Sequence, residues 1–145
     1  MKLTNFKISH DLIAIETDEK YLDLHNCYDF KSHNFNQKNR CLKLQWVVNK
    51  GEWVPANYPQ NLFLIFEGVT YFECREDENP TPEEQDTLDE LGFFQNETLG
   101  KVEYNGEESP QKGSELLLLR FLGGVEIAVI AKQAECVLKE ICITT

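Results

Sequence analysis

The chain has 145 residues, of which 41% are apolar, and its 25 acidic and 14 basic side chains give a formal net charge of −11. A chain of this length can bury roughly two-thirds of its unfolded surface, so we predict one domain spanning residues 1–145 that needs no metal or disulfide for stability. The acidic balance disfavours direct binding to nucleic acid, because phosphate contacts require clustered Lys and Arg.

Apolar runs and cysteines bear on the compartment. Purely apolar runs such as 62–66 and 116–119 are far shorter than the roughly 20 residues that span a bilayer, so we expect no membrane association. The first seven residues lack the apolar run of a signal peptide. The five cysteines are an odd number, which favours reduced thiols, most of them small buried side chains. We therefore expect a cytoplasmic protein without a cofactor.

The first half of the chain favours strands. Residues 11–17 and 28–35 are predicted strands, and 41–48 alternates in period two, with apolar side chains at the even positions. Asn49-Lys50-Gly51 offers turn chemistry, which predicts a hairpin with a second strand over 52–54. The continuous apolar run 62–66 is typical of a central strand covered on both faces. A bulge at Glu67-Gly68 would let that strand continue into 69–74.

One segment carries the signals of a helix. Thr81, Pro82 and Glu84 occupy the N-cap, N1 and N3 positions of a capping box. Leu88 and Leu91 are three residues apart and would share one helical face, and a glycine follows as a natural stop. The pattern predicts a short helix over about 82–91.

The C-terminal part returns to strands. Two apolar runs, 116–122 and 125–131, surround Gly123-Gly124, which predicts a hairpin because glycine tolerates positive φ. A last strand is predicted over 135–143, although 132–140 could also be helical. The fold class is therefore α+β but mainly β, an antiparallel sheet or sandwich of about seven strands with one inserted helix.

The negative charge is concentrated in one segment. Residues 73–108 hold 13 Asp and Glu against two bases, whereas the rest of the chain is balanced. Aromatic residues interleave with these acids and could anchor a basic protein surface while the charges accelerate the encounter. The predicted partner-binding residues are Glu76, Asp77, Glu78, Glu83, Glu84, Asp86, Asp89, Glu90, Phe93 and Tyr104.

A simpler interpretation of the same acids needs no partner. Carboxylates near a helix N-terminus stabilise its dipole, and a charged helix face is ordinarily a solvated one. Phe93 could likewise pack beneath the predicted helix. The two interpretations differ in whether a partner protein contacts this surface.

An enzymatic alternative rests on the segment that carries His25, Cys27, Asp29 and His33. In one regular strand these four side chains would share a face. The two histidines would then lie roughly 26 Å apart, so only near neighbours could share a metal ion or form a nucleophile pair. The common phosphate-loop, dinucleotide, hydrolase and zinc-protease motifs are absent from the sequence.

Three short fragments resemble small bacterial immunity proteins of polymorphic toxin systems. They are Leu24-His25-Asn26-Cys27, where that group commonly shows a Leu-His-Asp-Ala type start, then Phe66-Glu67-Gly68-Val69 with Phe72, and Gly124-Val125-Glu126-Ile127 followed by residues 131–137. The resemblance implies a β-rich scaffold whose acidic surface blocks a toxin, often a nuclease with a basic active site. It implies no catalytic residues.

These observations lead to one main prediction and two alternatives. We predict a non-enzymatic protein-binding domain that contacts a basic protein, such as a toxin, through residues 73–108. The first alternative is a small-molecule or metal-dependent enzyme that uses His25, Cys27 and Asp29. The second is an oligomeric structural component that pairs through an exposed strand edge.

Overall fold

The computed structural model describes residues 1–76, 86–95 and 115–140, which form twelve strands and no helix. A mainly β protein is confirmed, but about seven strands was too few, because four strands are only two or three residues long and too short to show alternation. The strands are β1 Lys2–Leu3, β2 Lys7–Ile8, β3 Ala14–Glu16, β4 Tyr21–Asp23, β5 Tyr28–Asn36, β6 Cys41–Val48, β7 Asn61–Glu67, β8 Tyr71–Glu76, β9 Leu88–Gln95, β10 Glu115–Phe121, β11 Val125–Ile130 and β12 Gln133–Lys139.

The strands are arranged in three sheets. Sheet I has the order β1-β12-β7-β6-β5, sheet II the order β8-β11-β10-β9, and sheet III the order β2-β3-β4. Every pairing is antiparallel except that of β1 with β12, which is parallel. The amino group of Met1 lies 3.4 Å from the carboxylate of Glu115, the first residue of β10.

Alternation along β6 and β7 builds the inner face of sheet I. The prediction for β6 is confirmed, since Leu42, Leu44 and Trp46 are fully buried. In β7 the even positions are also fully buried, but Phe63 and Ile65 on the other face are only half-buried. The prediction that this strand is covered on both faces was therefore wrong, because sheet I packs against the core through one face.

The β10–β11 hairpin of sheet II confirms the prediction made for Gly123-Gly124. Leu117 pairs with Val129, and the turn closes with Gly124 at φ 92°. Unlike β7, β10 is buried on both faces. Leu117 joins the core between the sheets, while Leu118 belongs to a second apolar cluster on the opposite face.

Sheets I and II pack face to face through β5. The ring of Phe30 lies 5.1 Å from that of Trp46 in sheet I and 4.7 Å from that of Phe121 in sheet II. Further along the strand, Phe35 lies 5.1 Å from Phe72 on β8. β5 therefore crosses sheet II from β10 to β8. Full burial of such a ring contributes about 1.5–3 kcal/mol, and the partly buried Phe30, Phe35 and Phe72 contribute less.

The predicted helix over 82–91 is not present where the structure describes that segment. Residues 82–85 lie outside the described residues, and Leu88 and Leu91 belong to β9, where both are fully buried against the core. In a regular strand residues three apart face opposite ways. Here the register shifts opposite Arg120, and Asp89 is the extra residue of a β-bulge. The bulge places Leu88 and Leu91 on the same face of β9. Two leucines three residues apart, a spacing typical of a helix, therefore share one face of a strand.

Two further predictions, the hairpin at 49–54 and the bulge at Glu67-Gly68, were wrong because the chain leaves sheet I at both places. Residues 49–60 form an irregular connection without the predicted strand over 52–54, and β6 pairs instead with β5 and β7. The predicted bulge at Glu67-Gly68 is a crossing from sheet I to sheet II, made possible by Gly68 at φ 65°. The N–H of Val69 after it donates to the carbonyl of Arg40, 3.0 Å.

The remaining strand predictions are confirmed where the structure describes them. β3 lies within 11–17, and β5 begins at Tyr28 as predicted. The segment that could have been helical forms β12, which pairs with β7 along its whole length. Residues 141–143 of the predicted last strand lie outside the described residues.

Candidate functional site

The two outer strands of sheet II have their acidic ends beside the β10–β11 turn. Glu76 is the last residue of β8 and lies opposite the first residue of β11. β9 begins at Leu88, and the carbonyl of Thr87 before it accepts a 2.9 Å hydrogen bond from the N–H of Leu122 in the turn. Both flanks of residues 77–85 are therefore held at the same end of the sheet.

Three of the predicted contact residues expose their side chains at this end of sheet II, namely Glu76, Asp86 and Asp89. We call these three residues the acidic end. Asp86 and Asp89 lie on β9 or just before it, whereas Glu76 lies on the opposite outer strand. Three inter-strand spacings separate β8 from β9, so the acidic end is roughly 14 Å wide.

Five of the predicted contact residues are outside the described residues. Four of them lie in the connection between Glu76 and Asp86, both of whose flanks are described. The fifth lies between β9 and β10. They are Asp77, Glu78, Glu83, Glu84 and Tyr104.

Glu90 is engaged within the sheet. Its carboxylate lies 3.0 Å from the guanidinium of Arg120, which also contacts Glu126 at 3.3 Å. Glu126 in turn lies 3.7 Å from Arg75, so charges alternate in a row across all four strands of sheet II. Arg120 also stacks over the ring of Phe94, 5.5 Å from its centroid. A partner would have to compete with these pairs to reach Glu90, which makes the acidic end the more accessible set.

Phe93 is only partly available. Phe93 lies on β9, opposite Leu117 of β10, and its side chain is 37% exposed. The neighbouring N–H of Leu91 donates to the carbonyl of Leu12 at 2.8 Å, so a loop from sheet III runs along this edge of β9. Leu12 is itself 36% exposed, and the two side chains give this edge a modest apolar character.

The proposed enzymatic face is divided in the structure. β5 starts only at Tyr28, so His25 and Cys27 lie in the preceding turn. Within β5 the register shifts between Phe30 and Ser32, which leaves Lys31 as a bulge residue. Asp29 before the bulge and His33 after it consequently point to opposite faces of sheet I. The expectation of one shared face was wrong, because a bulge changes the parity.

Each of these side chains already has a structural contact. A ring nitrogen of His25 hydrogen-bonds the carbonyl of Leu88, and Asp29 accepts a 3.0 Å bond from the amide of Asn49. Cys27 is buried, and burial together with the charge of a nearby aspartate raises the pKa of its thiol, which disfavours the nucleophilic thiolate. His33 is exposed beside an aromatic ring. Among the described residues no group of three or more His, Cys, Asp or Glu could hold a metal ion.

Three cavities in the described part of the chain are lined by other residues. One of about 470 Å³ lies where the chain crosses between the sheets, beside Arg40 and Lys132. A second, about 520 Å³, lies between residues 4–7 and 16–18. A third, about 170 Å³, opens at the acidic end between Asp89 and the alternating charge row. None of the three is lined by the four residues of the enzymatic alternative.

Trp53 is a surface residue outside the sites predicted from the sequence. It is 65% exposed, yet its indole N–H donates to the carbonyl of Asn26 at 2.7 Å. The ring lies directly over Gly51, where an added Cβ would come within 2.4 Å of ring atoms. The signal that could have found it is its position outside any alternating strand, between turn residues and Pro55.

A chain of contacts joins Trp53 to the acidic end. The N–H of Gly51 donates to the side chain of Asn49 at 2.7 Å, and Asn49 donates to Asp29. The next residue, Phe30, donates its N–H to the carbonyl of Asp86 at 2.8 Å. The turn that carries the indole is therefore linked through hydrogen bonds to the backbone of Asp86 in the acidic end.

Comparisons with protein-family models, with curated proteins and with solved structures find no match to this chain. Residues 1–76, 86–95 and 115–140 contain no helical segment with the length and apolar character of a membrane span.

Proposed function

We propose that this chain is a non-enzymatic protein-binding domain that recognises a basic protein through the acidic end. The observation that carries the proposal is the placement of Glu76 and Asp86, which are exposed at one end of sheet II and flank a connection with four further acids. Holding like charges together costs self-repulsion, and a basic partner would relieve that repulsion. The resemblance to immunity proteins makes a toxin with a basic active site the partner class that we propose.

The same proposal places the protein in the cytosol. Four cysteines in the described residues are free, and two of them, Cys27 and Cys136, are buried. Free thiols persist most readily in a reducing compartment. Direct nucleic-acid binding is not part of the proposal, because the acidic end would repel phosphates.

The test is a pull-down from a lysate of the source organism with wild-type protein and the double variant Asp86→Lys/Asp89→Lys. We expect wild type to retain a basic protein at about 0.15 M salt and to lose it at about 0.5 M, where the Debye length is roughly halved. The variant should retain at least tenfold less at the lower salt, because two attractive charges become repulsive.

A matched control separates the position of the charges from their number. Asp18→Lys/Glu19→Lys changes the net charge equally, at two exposed residues in the turn between β3 and β4. This control should retain the partner almost as well as wild type. Equal losses in both variants would rule out the acidic end as the contact surface, and binding that resists salt would argue against recognition by charge.

A further inference from the structure

The indole ring of Trp53 is largely exposed to solvent and is nevertheless fixed in position by two contacts. Its N–H bond to Asn26 and its packing over Gly51 fix the ring from two sides. A large side chain that is already ordered loses little conformational entropy on binding, which is why tryptophan is frequent among interface anchors. Trp46, the other tryptophan of the chain, is fully buried in the core.

The charged groups near the Trp53 turn determine which kind of partner side chain can pack on the indole ring. Asp23 accepts 2.8 and 2.9 Å bonds from Asn26, the residue that also binds the indole. Asp29 is reached through Asn49, and Glu52 is the adjacent exposed residue. Lys50 is exposed on the same turn, and Lys20 donates to the carbonyl of Asn57 further along the connection. The residues bonded or adjacent to this turn therefore bring three carboxylates and two ammonium groups.

An apolar partner group would cover the ring only by removing water from these carboxylates, which is costly. A cation avoids that cost, because it is attracted both by the face of the ring and by the carboxylates. Arginine fits better than lysine, since its planar guanidinium stacks on the ring while its edge donates hydrogen bonds to a carboxylate. A nucleic-acid base could also stack, but its phosphates would be repelled.

We propose that Trp53 is the docking site for an arginine side chain of the basic partner, which stacks on the exposed face of the indole. This inference rests on the proposed function, because the acidic end attracts the partner and Trp53 then discriminates among its cationic side chains. The contact makes the surface selective for arginine-rich proteins over lysine-rich proteins of equal charge.

The experiment uses octa-arginine and octa-lysine peptides, which carry equal charge, at about 0.15 M salt. Dissociation constants are measured for the wild type, for Trp53→Leu and for Gly51→Ala, whose added methyl group would displace the ring. Wild type should bind octa-arginine more tightly than octa-lysine. In both variants this preference should fall about two- to fivefold, with the affinity for octa-lysine nearly unchanged.

Two controls complete the measurement. Tyr21→Leu removes another aromatic side chain, 40% exposed, that does not contact Gly51 or Asn26, and it should leave the arginine preference intact. Octa-arginine should also protect wild-type tryptophan emission from acrylamide, whereas Trp53→Leu retains only the emission of buried Trp46 and should show no such protection.

The outcomes separate this inference from the proposed function. If Trp53→Leu keeps the full arginine preference while Asp86→Lys/Asp89→Lys weakens both peptides, the arginine site is wrong and the acidic end stands. If Trp53→Leu weakens both peptides equally, the indole is a general contact and the arginine assignment is again overturned. Failure of wild type to bind either peptide would overturn both proposals.

Discussion

The thiol of Cys136 lies on the inner face of β12, where it is 4% exposed, and burial raises its pKa to about 12. In the unfolded chain the thiol ionises near its ordinary pKa of 9.0. Above that pH, unfolding releases the thiol proton. The contribution of the buried neutral thiol to the free energy of unfolding is therefore complete below pH 9 and is lost progressively as the pH rises towards 12. Burial also raises the pKa of the Tyr28 hydroxyl, which acts in the same direction.

We predict that Cys136→Ala makes the free energy of unfolding less sensitive to alkaline pH. Between pH 9 and 12 the slope should decrease by up to about 1.4 kcal/mol per pH unit. Urea unfolding at pH 8 and pH 10.5 measures this, with Cys41→Ala at a half-buried position as the control. An unchanged slope would show that Cys136 is not shielded as described.

The two tryptophans differ in how far the sequence predicts their positions. Trp46 was correctly predicted to face the core, because it lies in an alternating strand. Trp53 was not recognised as a surface feature, since its exposure depends on Gly51 and on the carbonyl of Asn26, and neither contact leaves a periodic pattern. Side chains whose positions depend on non-local backbone contacts are not readily predicted from a single sequence.

At the scale of elements, the two β-bulges account for the main errors. The bulge at Asp89 gives β9 a helical spacing of leucines, and the bulge at Lys31 places Asp29 and His33 on opposite faces of β5. A bulge is defined by two residues opposing one on the partner strand, so it belongs to the pairing. The β10–β11 hairpin was predictable because its turn glycines and both strands are contiguous in sequence.

The bulge at Lys31 also bears on the oligomeric alternative. β5 is an outer strand of sheet I, and Lys31, Ser32, His33 and Asn34 are all exposed. A bulge and an exposed lysine on an edge strand both hinder pairing with another sheet. The alternative therefore stays a prediction, and this edge gives it little support.

The hairpin turn provides a test at the same scale. Because Gly124 has φ 92°, a side chain there meets steric strain, and Gly124→Ala should lower the free energy of unfolding by about 1–2 kcal/mol. Gly124→Asn should lose less, since asparagine tolerates positive φ better than alanine does. Urea denaturation of the two variants measures the difference. Equal losses would show that the conformation of this turn does not determine its stability.

For the whole molecule the dominant property is uneven charge. The net charge of −11 arises within residues 73–108, and nine of the 13 acids of this segment belong to residues 73–90, which include the acidic end. Added salt screens the repulsion between such like charges. We predict that raising NaCl from about 0.05 to 0.5 M stabilises the wild type by up to about 1 kcal/mol.

The charge-reversal variants provide the comparison for this prediction. Asp86→Lys/Asp89→Lys should respond less to salt than Asp18→Lys/Glu19→Lys, because only the former relieves repulsion at the crowded end. Thermal unfolding at several salt concentrations gives the result. A wild type that loses stability with added salt would indicate that attractive ion pairs, such as the row through Arg120, outweigh the repulsion.

The ion pair between the amino group of Met1 and Glu115 holds the N-terminus at one end of β10, away from the acidic end. β10 runs for seven residues from Glu115 to Phe121, a length of roughly 20 Å. This length of strand separates Met1 from the β10–β11 turn beside the acidic end. Anything attached ahead of Met1 leaves the molecule from the pole opposite the one proposed to bind. A fusion or a surface tether placed there would present the acidic end outward, with its access to a large partner unobstructed.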